Sequence, residues 1–409
     1  MPNALGVKTP NDIPDDKIRG EKIELRVDYN VPLNDRQEVT DKSKLYDSKQ
    51  SIDYVLEKGG IPILCSHLGR PDGKKNGSMS LLPVVSHLEG ILEKQVIFIP
   101  DCIGEERDKT IRSLQPGQIA LLENVRFYEG EEKNDPEFAR LLAKENEIFI
   151  NDAMGTAHRG HASNVGVVDC VGLDNSYMGF DLYSQAIRLN QYISNPKRPI
   201  ALISGGAKVK DKLKYLSFNA DIFVCVGLMG LTIIKSVCSD ENVGSLPQTI
   251  KEKQFKDAAE AYNKITSEGK TFILPVDGKV LCPDGSTPEK RIGCLEPDDV
   301  IFDIGEETYY SIASALRNAG TIVWNGLPGK AEDIRFKRGT MRLAKLFTQL
   351  AHENQALIII CGGDTSGLIP EPWMEIIANN GGCRMTAGGA AIEYLMYGTL
   401  PAIRALQKK

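Results

Sequence analysis

No CxxC pair occurs in this chain, and its nine cysteines, an odd number, are scattered singly. That distribution excludes zinc-ribbon spacing and a disulfide framework, so the cysteines read as small core hydrophobes in a reducing compartment. An excess of positive charge is also missing. With 49 Lys+Arg against 55 Asp+Glu the formal charge is -6, which gives no support to wholesale attraction for nucleic acid or an anionic membrane. The longest apolar run, Ile222 to Ile234, is bounded by Asp221 and Lys235 and is too short to cross a bilayer comfortably; it predicts a buried strand passing into a helix. The first twenty residues lack the apolar stretch of a secretion signal and the final ALQKK is no recognised address, so a cytoplasmic location is expected. Two nucleotide-binding signatures are absent as well: the phosphate-loop pattern GxxxxGK followed by Ser or Thr, and the dinucleotide fingerprint GxGxxG. Their absence argues against a P-loop NTPase and against an NAD-linked dehydrogenase.

What is present is a chain of 409 residues, 42% apolar and 25% charged, which is ordinary soluble composition and enough for two or three cores. Short β-rich stretches at IELRVDY, IPILCS, IALLEN and EIFIND alternate with helical spacing or turn signals. In NDPEFARLLAKE, Asn134 or Asp135 can cap a helix, Pro136 suits its first position, and Phe138, Leu141 and Leu142 form its apolar stripe. Strand–helix alternation of this kind predicts an α/β fold with mostly parallel sheets covered on both faces. The pattern restarts after about residue 195 with PIALISGG, IFVCVGL, TFILPVDG, TIVWNGLPG and LIIICGGDTSG, which predicts a second sheet. Between the two, YMGFDLYSQAIRLNQYI reads as one amphipathic helix, with Phe180, Ile187, Leu189 and Ile193 on a broad apolar side and Asp181, Ser184 and Arg188 toward solvent. It serves either as a connector between two lobes or as an ordinary crossover helix. The expected division is residues 1–178, a connecting helix at 179–195, residues 196–392 and a terminal segment at 393–409.

Ligands of open parallel sheets bind beyond the carboxyl ends of the strands. In the first half those places carry Arg26, Asp28 and Asn30, then His67 and Arg70, then Arg126, then His158, Arg159 and His161. One charged loop is unremarked surface, but recurrence at four strand ends predicts a site for a small, highly charged anion, since guanidinium groups give directional paired bonds to phosphate or carboxylate. The second half instead places glycine-rich turns at its strand ends: Ser204-Gly205-Gly206-Ala207-Lys208, Pro275-Val276-Asp277-Gly278, Trp324-Asn325-Gly326-Leu327-Pro328-Gly329 and Cys361-Gly362-Gly363-Asp364-Thr365. Glycine permits close backbone approach to phosphate oxygens. Asp364 suits a magnesium ion, and Lys208 and Lys212, four apart, can share a helical face toward the phosphates.

The segments RVDYNVPL, SHLGRPDG, LLENVRFYEGEE, NDAMGTAHRGHAS, SGGAKVKDKL, WNGLPGKAE, CGGDTSG and MTAGGAAIEYL together resemble the phosphoglycerate kinase family over almost the full length. The resemblance implies two Rossmann-like lobes joined by a hinge helix and reversible transfer between 1,3-bisphosphoglycerate and Mg-ADP, giving 3-phosphoglycerate and Mg-ATP in glycolysis. It implies a triose site of Arg26, Asp28, Asn30, Lys44, His67, Arg70, Arg126, His158 and Arg159. It also implies a nucleotide site of Gly205, Lys208, Lys212, Gly227, Asn325, Gly326, Glu332, Gly363, Asp364 and Thr365. Within these, Lys208 and Lys44 would act on the transferring group, Asp364 would engage magnesium, Glu332 the ribose, and ADP or ATP would be co-substrate. A monomer without nucleic-acid or membrane partners is expected, with the terminal stretch either returning to the first lobe or fraying. The chain departs from the family pattern at Lys44, where an arginine is usual, and at Val226, Leu228, Leu327, Pro328 and Ala387. An active kinase is the reading; a homologue that binds 3-phosphoglycerate without efficient transfer is the alternative.

Overall fold

The computed structural model describes residues 5–407, apart from the side chain of Asp364. Its internal contacts divide the chain into two compact units, Met1–Asn190 with Glu393–Lys409, and Gln191–Ile392.

The first unit is built on six strands: β1 Lys22–Arg26, β2 Ile61–Cys65, β3 Val96–Ile99, β4 Ile119–Leu122, β5 Ile148–Asn151 and β6 Ser176–Met178. They lie in the order β3-β4-β2-β1-β5-β6, all parallel. Strand order reverses between β1 and β5, because the chain builds outward from β1 on one side and then crosses to the other. Such a switch point opens a crevice at the carboxyl ends. In β1 the two-residue period puts Ile23 and Leu25 into the hydrophobic core with Ile148 and Ile150 of β5. Glu24 and Arg26 occupy the opposite face, and both are also fully buried. Burial therefore pushes Glu24 up to about 7, despite the opposing pull of Arg107, and Asn146 Nδ2 donates to its Oε2 at 2.8 Å.

The expected helix after Asn134 forms over Pro136–Ala143, capped by Asp135, whose carboxylate accepts from the Phe138 amide at 2.8 Å. The terminal segment packs on the first unit through the helix Pro401–Leu406, and Gln407 Nε2 donates to the Leu5 carbonyl at 2.9 Å.

The second unit carries a parallel sheet of β7 Ile200–Ser204, β8 Ile222–Cys225, β9 Thr271–Ile273, β13 Thr321–Asn325, β14 Leu357–Cys361 and β15 Cys383–Met385. Their order is β15-β14-β13-β7-β8-β9, with the reversal between β7 and β13. The run at Ile222–Ile234 is β8 followed by the helix Gly227–Val237. These two helix-covered parallel sheets are the α/β fold anticipated from the alternation. Among the described residues no helix is long and apolar enough to cross a membrane.

Three expectations need correction. TFILPVDG is not one strand ending in a ligand loop: β9 stops at Ile273, and Asp277 opens β10 Asp277–Leu281, which pairs antiparallel with β11 Glu289–Arg291 and β12 Val300–Ile304. Asp277 is spent on the helix Glu306–Leu316, accepting from the amides of Glu307 at 2.9 Å and Thr308 at 2.8 Å. The helix Phe180–Ser194 buries Leu182, Ala186 and Leu189, which rotates its inner face so that Asp181 is half-buried instead of solvated. Of the cysteines, Cys170, Cys238 and Cys294 are exposed rather than in the core.

Candidate active site

The carboxyl ends of β1, β2, β4 and β5 bring the sequence-predicted anion ligands onto one edge of the first unit. Arg26, the last residue of β1, has no exposed surface. Its Nε donates to Ser163 Oγ at 2.8 Å, Nη1 donates to the Val27 carbonyl, and Nη2 lies 3.4 Å from His67 Nδ1. His67, two residues beyond β2, is 3% exposed. Burial first, then Arg126, Arg26, Lys44 and His161, hold its pKa well below the ordinary imidazole range. Asp28 accepts from Lys44 Nζ at 2.9 Å, and that ammonium also donates to the Asn30 carbonyl at 3.2 Å. Burial raises the Asp28 carboxyl, but Lys44, Arg26 and the Asn30 amide outweigh it, and the group sits below the usual carboxylate range.

Asn30 Oδ1 accepts the Gly69 amide at 2.9 Å, and the Gly69 carbonyl accepts Arg126 Nη1 at 3.0 Å. Thus the ends of β1, β2 and β4 are tied through one residue, Gly69. Gly69, at φ +65, adopts the left-handed conformation that makes this turn, and it delivers Arg70 to the exposed surface. Arg126 is 9% exposed in the turn Val125–Phe127, where the Asn124 side chain accepts its amide at 3.0 Å. Burial lowers its pKa, and Glu132, at 3.3 Å from Nε, works against that. Beyond β5, His158 is half-buried and Arg159 exposed. The buried Asn164 holds their loop by donating to the carbonyls of Thr156 at 3.0 Å and Arg159 at 3.4 Å.

Several supporting residues were missed in the sequence. Glu131 is fully buried, and Ser163 fixes both its oxygens, through the amide at 2.9 Å and the hydroxyl at 2.7 Å. Burial raises it, yet His161, Arg26 and Ser163 together pull it below its ordinary range. Asp152 follows β5 and accepts the Leu182 amide at 3.0 Å at the start of the helix Phe180–Ser194. Burial raises both Asp152 and Asp181, and each carboxylate near Asp181 (Asp152, Asp47, Asp28) raises it further. Asp47 is pushed up to about 6, by burial first and then by Asp28. The signal for this cluster was weak: acidic residues in YEGEE and in a helix's first turn look like solvated charge.

In the second unit the ends of β7, β13 and β14 gather the glycine turns. The Gly205 amide donates to the Asn325 carbonyl at 3.0 Å, the Gly326 amide to Thr365 Oγ1 at 3.1 Å, and Asn325 Nδ2 to the Cys361 carbonyl at 3.0 Å. Gly326 is at φ +91, and a Cβ there would fall 2.1 Å from Lys212 Nζ. That ammonium is turned onto the Gly205 carbonyl at 2.5 Å and the Asn325 carbonyl at 3.3 Å. Lys208 does not share a helical face with Lys212: the helix is only Val209–Lys212, and Lys208 precedes it, exposed. Gly227 opens the helix after β8 at φ +58, Glu332 is exposed beyond β13, and Gly363 is exposed beyond β14. Thr365 is 2% exposed, whereas the Asp364 side chain lies outside the described residues. Among the described residues, Ser204 Oγ and Asn325 Oδ1 are buried with no hydrogen-bond partner. Buried polar atoms normally have partners, so two orphans at adjacent strand ends fit a polar ligand there. Among the described residues no three His, Cys, Asp or Glu side chains are grouped to hold a metal. A magnesium ion here would fit the usual arrangement of few carboxylates completed by phosphate oxygens.

Basic strand ends on one parallel sheet and glycine turns at the strand ends of another form the pattern expected of an α/β phosphotransferase. The family model for phosphoglycerate kinase matches residues 13–397. The chain is 36% identical over 405 residues to the phosphoglycerate kinase of Chloroherpeton thalassium, covering 98% of each, and 36% identical over 397 residues to the cytosolic phosphoglycerate kinase of Triticum aestivum, covering 96% of each. Among solved structures it is similar to the phosphoglycerate kinase of Coxiella burnetii, with TM-score 0.72, 30% identity and 98% of both chains covered. It is also similar to that of Pyrococcus horikoshii, with TM-score 0.78, 25% identity and 98% of both covered. The chain belongs to the phosphoglycerate kinase family, and with it to the transferases of glycolysis.

Proposed function

We propose that the chain carries one phosphoryl group directly, in line, between 1,3-bisphosphoglycerate and Mg-ADP, giving 3-phosphoglycerate and Mg-ATP. The observation that carries the reading is the gathering of Arg26, His67, Arg126 and Lys44 with Asp28 and Asn30 at one strand-end edge, joined by the hydrogen bonds through Gly69. In this reading residues 1–178 bind the triose, 179–195 connect, 196–392 bind the nucleotide and 393–409 complete the first unit. The near balance of charge and the lack of paired cysteines support a cytoplasmic protein acting on small metabolites rather than on nucleic acid or a membrane, and membership of the family supports a monomer.

The chemistry asks for charge stabilisation and alignment more than for a base. The acyl P–O bond breaks with its electron pair going to the glycerate carboxylate, and an anionic oxygen of ADP forms the new P–O bond, so no proton relay is needed. Arg70, Arg126 and Arg159 grip the non-transferring phosphate, while His67, Asp28 and Asn30 orient the glycerate. Lys208 contacts the equatorial oxygens of the migrating group. Lys44 adds one charge there as a point donor, with weaker orientation than a guanidinium would give, since its ties to Asp28 and the Asn30 carbonyl leave one donor over. Lys212, Thr365 and the amides around Gly205, Gly227, Gly326 and Gly363 hold the nucleotide phosphates, and Asn325 and Glu332 its remaining polar groups. Magnesium on Asp364 would neutralise charge between the nucleotide phosphates. Val226, Leu228, Leu327, Pro328 and Ala387 tune the fit of the nucleotide. Closure of the two units excludes water, which would otherwise intercept the phosphoryl group.

Mixing 1,3-bisphosphoglycerate with Mg-ADP and detecting ATP directly tests the reading. Lys208→Ala should cost about 2–5 kcal/mol of transition-state stabilisation, read in kcat, and Arg159→Ala should mainly raise KM for 3-phosphoglycerate in the reverse direction. An undiminished kcat in Lys208→Ala overturns its role; absence of ATP with the native chain overturns the activity.

A further inference from the structure

His67 is surrounded by basic side chains from four elements: Arg26 from β1, Lys44 from the helix Ser43–Asp47, Arg126 from the turn after β4 and His161 from the loop after β5. The carboxylates of this cluster are already committed. Asp28 is held by Lys44 at 2.9 Å, and Glu131 is held by Ser163, with His161 Nδ1 3.7 Å away. A positive charge on the His67 ring would gain no partner there.

The hydrogen bonds have a direction. Ser163 has one hydroxyl proton, and Glu131 can only accept, so that proton points to Glu131 Oε1 at 2.7 Å. The Ser163 oxygen is then left as acceptor for Arg26 Nε at 2.8 Å. With Nε so fixed and Nη1 on the Val27 carbonyl, the planar guanidinium has no freedom to turn, and Nη2 is set 3.4 Å from His67 Nδ1. A guanidinium nitrogen cannot accept, so the facing ring nitrogen must present its lone pair.

We infer that Glu131 and Ser163 are positioning residues which, through Arg26, hold His67 as the neutral tautomer with its proton on Nε2. His67 then offers the triose site a neutral N–H donor of fixed direction, not an imidazolium. The full positive charge of the site is carried by its arginines and Lys44, and its affinity for an anionic ligand does not depend on titrating this ring. The inference rests on the assignment of His67 to the triose site only for its functional consequence; the tautomer itself is a property of the ligand-free chain.

Nitrogen-15 NMR of the full chain, with His67→Gln used to assign the ring, reads both nitrogens directly. The native chain should show a protonated Nε2 and an unprotonated Nδ1, unchanged from about pH 8 down to about pH 5.5, where an ordinary histidine would have titrated. Ser163→Ala, which leaves Arg26 Nε without its acceptor, should give exchange between tautomers. It should also raise KM for 3-phosphoglycerate about tenfold, with kcat within about threefold and KM for ATP unchanged. Glu131→Gln should do the same, because its one acceptor oxygen cannot take both the Ser163 amide and hydroxyl, which frees the hydroxyl proton from its fixed direction. A native His67 that is protonated on Nδ1, or that titrates between about pH 6 and 7, overturns the inference whatever the variants do. So does a folded Ser163→Ala with native ring signals. By contrast, a His67→Gln chain with native KM for 3-phosphoglycerate would refute the triose assignment and leave the tautomer standing.

Discussion

Lys44 Nζ lies 2.9 Å from Asp28 Oδ2, and this half-buried pair decides what a lysine can do at that position. An ammonium is a point charge without the paired donors of a guanidinium, so once it serves Asp28 and the Asn30 carbonyl, one donor remains. In the ligand-free chain Lys44 is therefore held against the end of β1 with one donor to spare.

Gly155 lies against this pair, and a Cβ there would fall 1.9 Å from Asp28 Oδ2. Gly155→Ala should displace the carboxylate and release Lys44. The expected result in steady-state kinetics is a KM for 3-phosphoglycerate raised about tenfold or more, equivalent to ~1.4 kcal/mol, with KM for ATP unchanged.

Asp181 carries a pH dependence of stability. Burial, then Asp152, Asp47 and Asp28, raise its pKa in the folded chain. An acid with a higher pKa folded than unfolded holds its proton more tightly in the folded state. Its contribution is largest at low pH and falls as pH climbs from the ordinary carboxylate range through the raised value. Asp181→Asn should thus leave stability at about pH 4 unchanged and increase it by about 1–2 kcal/mol at about pH 8, in denaturant titrations at the two pH values.

Gly326→Ala tests the second unit. The left-handed φ of +91 and a Cβ 2.3 Å from the Gly205 carbonyl oxygen force the β7 and β13 turns apart. Calorimetric titration with ATP should show binding weakened at least about tenfold, and triose binding should be untouched.

Asp277 separates structure from function. Because its carboxylate caps the helix Glu306–Leu316, Asp277→Ala should lower unfolding free energy by about 1–2 kcal/mol and leave kcat and both KM values unchanged at a temperature where the variant is folded. A loss of nucleotide binding in the folded variant would return Asp277 to the ligand loops.

The parts of the fold visible in the sequence were those with a period or a cap: β1, β5, the helix capped by Asp135 and the strand–helix run at Ile222–Ile234. The gathering of basic side chains at the strand ends of the first unit was legible because arginine and histidine recur after strands. The antiparallel pairing of β10 with β11 and β12 was not, since TFILPVDG is equally apolar whether it is one strand or two with a break at Pro275. Glu131, Ser163 and Asp152 were not legible either. Their importance lies in contacts across the chain, such as 32 residues from Glu131 to Ser163, that no local pattern announces.

The final helix Pro401–Leu406 presents the Ala402 amide to the Ala157 carbonyl at 3.0 Å, one residue before His158. The loop that bears His158 and Arg159 is therefore held by a segment far along the chain, beyond the whole second unit, whereas Gln191–Ile392 is one uninterrupted stretch. A chain cut before Pro401 would therefore keep every strand of the second sheet and lose the backbone bond that anchors the His158 loop in the first unit.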